Sequence, residues 1–216
     1  MTAKVPTTPE ADLAFLRAIV EGAPPRGQMT MGVVFMAGGL LYGLQCLFHL
    51  GQIAGIVRVS SWTSTAFVFA ITASVLGSIV WAVFRDRRNG LSGRSGSTAS
   101  RAMNGAFSGA GMANLAILIV FGVGAWREND FSIWLYYSAV VFAFQSVAWF
   151  MAWQLKRKAW MGLVALGHWT TAVGLGVLVR QPVAYLGLCA AALFLLFALP
   201  GWIMLREARA AQKTAA

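Results

Sequence analysis

Charged residues are scarce in this sequence, and six long stretches contain none. The 216 residues include 17 Lys or Arg and 7 Asp or Glu, all of which lie outside six stretches of 21 to 29 residues between Met29 and Leu205. With 58% hydrophobic residues and a mean hydropathy of +0.68, the chain has more apolar surface than a soluble domain of this size can bury. The composition therefore excludes a soluble fold.

The sequence also lacks the motifs of several enzyme classes. It has no CxxC, HExxH, GxSxG or phosphate-binding loop. Because the six long stretches are free of charge, no carboxylate, Lys or Arg would lie inside a membrane. Proton-coupled pumps and most intramembrane hydrolases need such buried groups. The only two cysteines, Cys46 and Cys189, are interpreted as isolated buried thiols with a structural role. We therefore expect neither enzymatic activity nor a cofactor.

Each charge-free stretch is long enough to cross a membrane. A hydrocarbon core of about 30 Å is crossed by about 20 apolar helical residues. The predicted fold class is an all-α polytopic membrane protein, a compact bundle of six transmembrane helices paired as three antiparallel hairpins. We predict spans at about 29–56, 60–84, 103–126, 131–154, 159–179 and 182–204.

Basic residues are concentrated in the loops of one side. The amino-terminal segment, the loops after the second and fourth spans and the carboxyl-terminal tail hold 14 of the 17 Lys and Arg residues, whereas the other three loops hold only Arg58, Arg127 and Arg180. Cytoplasmic loops carry such an excess, so both termini are predicted to be cytoplasmic, in a bacterial inner membrane. This topology explains the net charge of +10 better than nucleic-acid binding does.

Three segments lie outside the predicted spans. Residues 1–28 form a cytoplasmic segment with an amphipathic helix from about residue 9 to 21, which lies on the membrane, covers the end of the bundle or docks a partner. Residues 206–216 form a cytoplasmic tail. The loop 85–102 is rich in Gly, Ser and Arg and is predicted to be flexible. Its arginines are either solvated or bind anionic lipid head groups, and they are Arg85, Arg87, Arg88, Arg94 and Arg101.

Glycine is distributed unevenly among the spans. The first, third and fifth spans carry 15 of the 23 glycines. Pairs four residues apart, such as Gly39 with Gly43 and Gly105 with Gly109, allow helices to approach closely. Bulky residues such as Trp149 are more frequent in the even-numbered spans. We therefore predict that the odd-numbered spans lie near the bundle axis and the even-numbered spans towards lipid.

Polar residues within the spans form two groups, each of which needs a hydrogen-bond partner or a wet cavity. The first is a midplane layer roughly 14 to 17 Å from the cytoplasmic ends at the helical rise, and it consists of Asn114, Gln145 and His168. The second is a stripe on one face of the first span, nearer the outside, and it consists of Tyr42, Gln45, His49 and Gln52. Both groups suit either hydrogen bonds between helices or the lining of a pathway.

These features leave three functions open. The first is a small membrane accessory or regulatory protein, which acts through helix packing and contacts with a membrane-protein partner. The second is a channel or carrier for a small neutral or weakly polar molecule, lined by the His, Asn, Gln and Tyr side chains above. The third is haem binding, although the two histidines, His49 and His168, differ in depth by about 7 to 12 Å at helical rise, which disfavours a shared iron.

Overall fold

The chain folds into membrane-spanning helices, as predicted. The computed structural model describes residues 28–88 and 98–214, so the predicted helix at 9–21, residues 89–97 and the last two residues lie outside the described part. Six helices are long and apolar enough to cross a membrane, and the described ranges contain no strand. The first five are α1 (Gln28–Ile53), α2 (Ser61–Arg88), α3 (Thr98–Glu128), α4 (Phe131–Lys156) and α5 (Ala159–Leu178). The last span comprises α6 (Pro182–Ala192), a π-helical segment (Leu193–Ala198) and α7 (Leu199–Thr214).

Local chemistry explains several helix ends. The Asp130 carboxylate accepts a hydrogen bond of 2.8 Å from the backbone N–H of Ser132 and caps the start of α4. Arg157 adopts a left-handed conformation with φ of 54° and ends α4. Pro182 begins α6, where the missing N–H costs no hydrogen bond. Helices α2, α3 and α7 extend into the predicted loop 85–102 and the predicted tail, so the helical structure continues beyond the charge-free stretches.

The π-helical segment is explained by Pro200, which directly follows Leu199. A proline inside a helix has no N–H to donate, and its ring crowds the carbonyl four residues earlier, here that of Leu196. The backbone widens before this point, and the N–H of Leu199 donates to the carbonyl of Phe194, five residues back. The last span thereby changes its helical register in the middle of the membrane.

Exposed aromatic residues lie near both ends of the bundle. Two arginine guanidinium groups lie over tryptophan rings, Arg85 over Trp81 at 5.4 Å and Arg206 over Trp202 at 5.7 Å. We call this end of the bundle, which also carries Lys156 to Lys158, the basic end. Trp62 is 85% exposed near the opposite end and is separated from Trp81 by roughly 29 Å of α2 at the helical rise. This spacing matches the hydrocarbon thickness of a bilayer.

Side-chain packing defines two large cores and a small cluster of Met29, Leu205 and Ala208. The core at the basic end contains Phe35 of α1, Met103 and Phe107 of α3, Trp149 of α4 and Met204 of α7. The core nearer the opposite end joins α1, α4, α5 and α6 around Phe142, Leu175, Tyr185 and Cys189. The helix neighbours run in the order α2, α1, last span, α5, α4 and α3. The first and last spans are therefore adjacent in the bundle.

The predicted division into inner odd spans and outer even spans is wrong. In the last span 44% of the residues in its apolar stretch are buried inside the molecule, against 6% in α3. A methyl group at Gly39 would overlap the backbone of Ala198, whereas Gly105 and Gly109 of α3 have open space beside them. Trp149, expected towards lipid, is completely buried. Small residues permit close approach, but they do not specify which helix approaches, and here the partner of α1 is the last span.

Candidate functional site

His168 lies in the centre of the molecule and has no solvent-accessible surface. Its Nδ1 atom donates a hydrogen bond of 2.8 Å to the carbonyl of Val164, one turn earlier on α5. Aromatic rings surround the imidazole, with centroids 5.0 Å away for Phe197, 5.5 Å for Phe142 and 6.5 Å for Trp149. Because Nδ1 carries the donated proton, Nε2 is left as an acceptor, and it has no hydrogen-bond partner.

Helix α4 contributes three further polar side chains at this depth. Gln145 and Ser146 are buried, and Trp149 lies one turn from Gln145 on the same helix face. The Ser146 hydroxyl donates a 3.0 Å hydrogen bond to the carbonyl of Ala165 and links α4 to α5. The Gln145 Oε1 and Trp149 Nε1 atoms are buried without a partner.

Asn114 lies on α3. Its level relative to Gln145 of α4 follows from counting helix turns away from a contact that the two helices share. Phe107 and Trp149 form an edge-on ring contact at 5.2 Å between α3 and α4. From this contact, Asn114 is two turns and Gln145 one turn nearer the opposite end, which puts them within roughly 5 Å of one another in depth. Asn114 and Gln145 therefore lie at a similar level along the bundle. None of Asn114, Gln145 and His168 is hydrogen-bonded to another, however, so the expected direct contacts are not formed.

Unpaired polar atoms distinguish this layer from an ordinary apolar core. The buried atoms without a partner include Asn114 Oδ1, Gln145 Oε1 and His168 Nε2 in the layer. The others are Trp149 Nε1 on α4 and Gln45 Oε1 on α1. Leaving a buried polar group unsatisfied costs about 1–3 kcal/mol. A small molecule that donates hydrogen bonds, water included, would complement the acceptors of this set.

The polar stripe on α1 contacts α2 at its outer end and the core around Tyr185 at its other end. Near its outer end, His49 Nδ1 donates a 2.8 Å hydrogen bond to Gln52 Oε1, which also accepts a 3.4 Å bond from Ser64 of α2. Tyr42, at the other end of the stripe, packs against the core around Tyr185. The stripe therefore contacts protein at both ends, and its outer half fastens α1 to α2.

The surroundings of the two histidines are unlike each other. The His49 ring contacts Phe48 at 5.5 Å beside α2, whereas His168 is enclosed between α4, α5 and the last span. A haem with both histidines as axial ligands would need imidazoles on opposite faces of one iron. This arrangement of neighbours does not fit that group. Within residues 28–88 and 98–214, no cluster of three or more His, Cys, Asp or Glu residues could hold a metal ion.

Arg85, Arg88 and Arg101, three of the residues expected to bind lipid, lie at the basic end. Arg85 is half-buried against Trp81, and Arg88 and Arg101 are exposed. Arg94 and the side chain of Arg87 lie outside the described part. An ion pair also lies at this end, because Lys158 Nζ is 2.6 Å from Glu207 and ties the turn between α4 and α5 to α7. Exposed pairs of this kind contribute little to stability.

Sequence reasoning missed the aromatic enclosure of His168. Trp149 and Phe197 belong to even-numbered spans, and their bulk suggested lipid contact. Two signals pointed the other way: Gln145 and Trp149 share one helix face, and a tryptophan N–H disfavours the hydrocarbon centre. The chain matches no protein-family model, no curated protein and no solved structure.

Proposed function

We propose that this protein is a multi-pass membrane accessory protein, which acts through contacts with another membrane protein and carries no solute through its centre. The observation that carries the proposal is the enclosure of His168. Its ring and that of Trp149 have no accessible surface, and Gln145 is 8% exposed. A solute pathway needs a cavity that reaches the midplane. A polar layer packed among aromatic rings favours a structural role in fixing the helix positions.

Helix α3 is the best candidate for the partner contact. Its half near the basic end joins the core through Met103 and Phe107, whereas beyond Phe107 one side of the helix contacts α4 and the other side is exposed. Small residues are uncovered on this helix, since Gly105 and Gly109 have nothing within 4 Å of an added methyl group. Lipid-facing positions normally favour bulky apolar residues, whereas small residues are enriched where helices meet. We therefore propose that α3 receives a helix of the partner.

A solvent-access experiment separates this proposal from a carrier. Ser146→Cys is nearly isosteric and reports on the midplane layer, in a background where Cys46 and Cys189 are replaced by Ala. We expect a small water-soluble methanethiosulfonate to leave Ser146→Cys unmodified in native membranes. Asn129→Cys, in the exposed turn between α3 and α4, is the positive control. Modification of Ser146→Cys at the control rate would overturn the accessory proposal.

Photo-crosslinking tests the proposed partner face. A photoreactive residue at Ala116 or Ile119 of α3 should link to one discrete membrane protein. The same residue at Val177 of α5, which is 74% exposed, should link only to lipid. If both faces give lipid adducts alone, α3 is a lipid-facing helix and the proposed contact is wrong.

A carrier for a small neutral or weakly polar molecule is the second candidate. The observation in its favour is the set of unpaired buried acceptors on Asn114, Gln145 and His168. These atoms would suit a ligand that donates hydrogen bonds, and the Ser146→Cys experiment decides between the two functions. For both candidates we propose a bacterial inner-membrane location with cytoplasmic termini, and anionic lipid bound near Arg85 and Arg88.

A further inference from the structure

The two cysteines, which lie far apart in the sequence, meet in the structure. Cys46 of α1 packs against the core that contains Cys189 of α6. Gly43 of α1 lies against the ring of Phe194, and because the first and last spans run antiparallel, about one turn forward along α1 and one turn back along the last span bring Cys46 and Cys189 to the same level. Both are free thiols, Cys189 buried and Cys46 half-buried. The prediction that they are isolated is wrong, because it had no means of pairing the first span with the last.

The surrounding contacts hold both helices in place. Tyr185, one turn before Cys189, donates a 2.6 Å hydrogen bond from its hydroxyl to the carbonyl of Leu135 and fastens α6 to α4. On the other side, Gly39 and Gly43 bring α1 against Leu193 and Phe194 of the π-helical segment. A disulfide needs Cα atoms about 4.4–6.8 Å apart, so it can form only between helices in direct contact, as α1 and α6 are.

The position of the pair within the membrane restricts the oxidant. Cys46 is seven residues from the end of α1 and Cys189 is seven residues from the start of α6, which puts both roughly 10 Å inside the helix ends. Ionic oxidants dissolved in water are poorly soluble at that depth. A lipid-soluble molecule can reach that depth in the bilayer, and Cys46 is only half-buried.

We propose that Cys46 and Cys189 form a reversible disulfide when a membrane quinone oxidises them. Two S–H bonds break and one S–S bond forms, while the quinone takes up the two electrons and two protons and becomes the hydroquinone. The cross-link ties α1 to the last span within one turn of the π-helical segment. A dithiol reductant reverses the reaction by thiol–disulfide exchange.

The test counts free thiols in the full-length protein after purification in mild detergent. The protein is treated with a short-chain quinone, denatured without reductant and labelled with a polyethylene-glycol maleimide. We expect two adducts on the untreated protein, none after quinone and two again after dithiothreitol, with the intact mass lower by two hydrogens in the oxidised form.

Single-cysteine variants provide the matched control. Cys46→Ser and Cys189→Ser should each carry one adduct before and after quinone. Two adducts remaining on the wild-type protein after quinone would overturn the proposal. So would a disulfide-linked dimer on a non-reducing gel, because the bond would then join two chains. If the disulfide forms with the general thiol oxidant diamide but not with quinone, the assignment of the oxidant is wrong.

Discussion

At the scale of single residues, His168 combines close aromatic packing with a nitrogen that has no partner. We predict that His168→Phe changes the free energy of unfolding by less than about 1 kcal/mol, because a ring is kept and an unsatisfied atom is removed. His168→Ala should lose about 2–4 kcal/mol, because it leaves a cavity among Phe142, Trp149 and Phe197. Denaturant titration of the purified protein in detergent measures both.

A different result for His168 would point to the second candidate function. If His168→Phe is as destabilising as His168→Ala, ring packing is not the main contribution of this side chain. The imidazole nitrogens would then be needed for a bound molecule that satisfies Nε2. Thermal unfolding in the presence of candidate solutes would identify such a molecule by a rise in the unfolding temperature.

At the scale of helices, the contact between α1 and the last span depends on glycine. We predict that Gly39→Ala lowers stability by about 1–3 kcal/mol, because the added methyl group meets the backbone of Ala198 and Leu193, which cannot move aside as a flexible side chain can. Gly109→Ala is the matched control on α3, where nothing lies within 4 Å. Thermal unfolding in detergent compares the two variants. Equal tolerance would contradict the packing described here.

The number of spans could be predicted because it depends on local properties. A charge-free stretch of sufficient length identifies a span, and the fixed helical rise gives the depth of Asn114, Gln145 and His168. The neighbours of each span could not be predicted in the same way. The pairing of Cys46 with Cys189, and the burial of Trp149, depend on contacts between distant segments, for which a single sequence provides no signal of register.

At the scale of the whole molecule, the distribution of basic residues predicts how the bundle lies in the membrane. A single cysteine at Ser92, in a background without Cys46 and Cys189, should react with a membrane-impermeant maleimide only from the cytoplasmic side. A cysteine at Asn129 should react only from the opposite side. Labelling intact cells and then inside-out vesicles makes the measurement. Reversed accessibility at both sites would mean that the termini lie outside the cytoplasm.

The adjacency of the first and last spans has a consequence for biosynthesis. Ribosomes deliver α1 to the bilayer before any other span of the bundle, yet the surface formed by Gly32, Gly39 and Gly43 is completed only when Leu193 to Leu205 arrive. Until then, the backbone of α1 faces lipid or a passing chaperone at positions that no side chain covers. Chains that stop before Pro182 would keep five spans and lose the closing contact, so we expect membrane quality-control proteases to remove them rapidly.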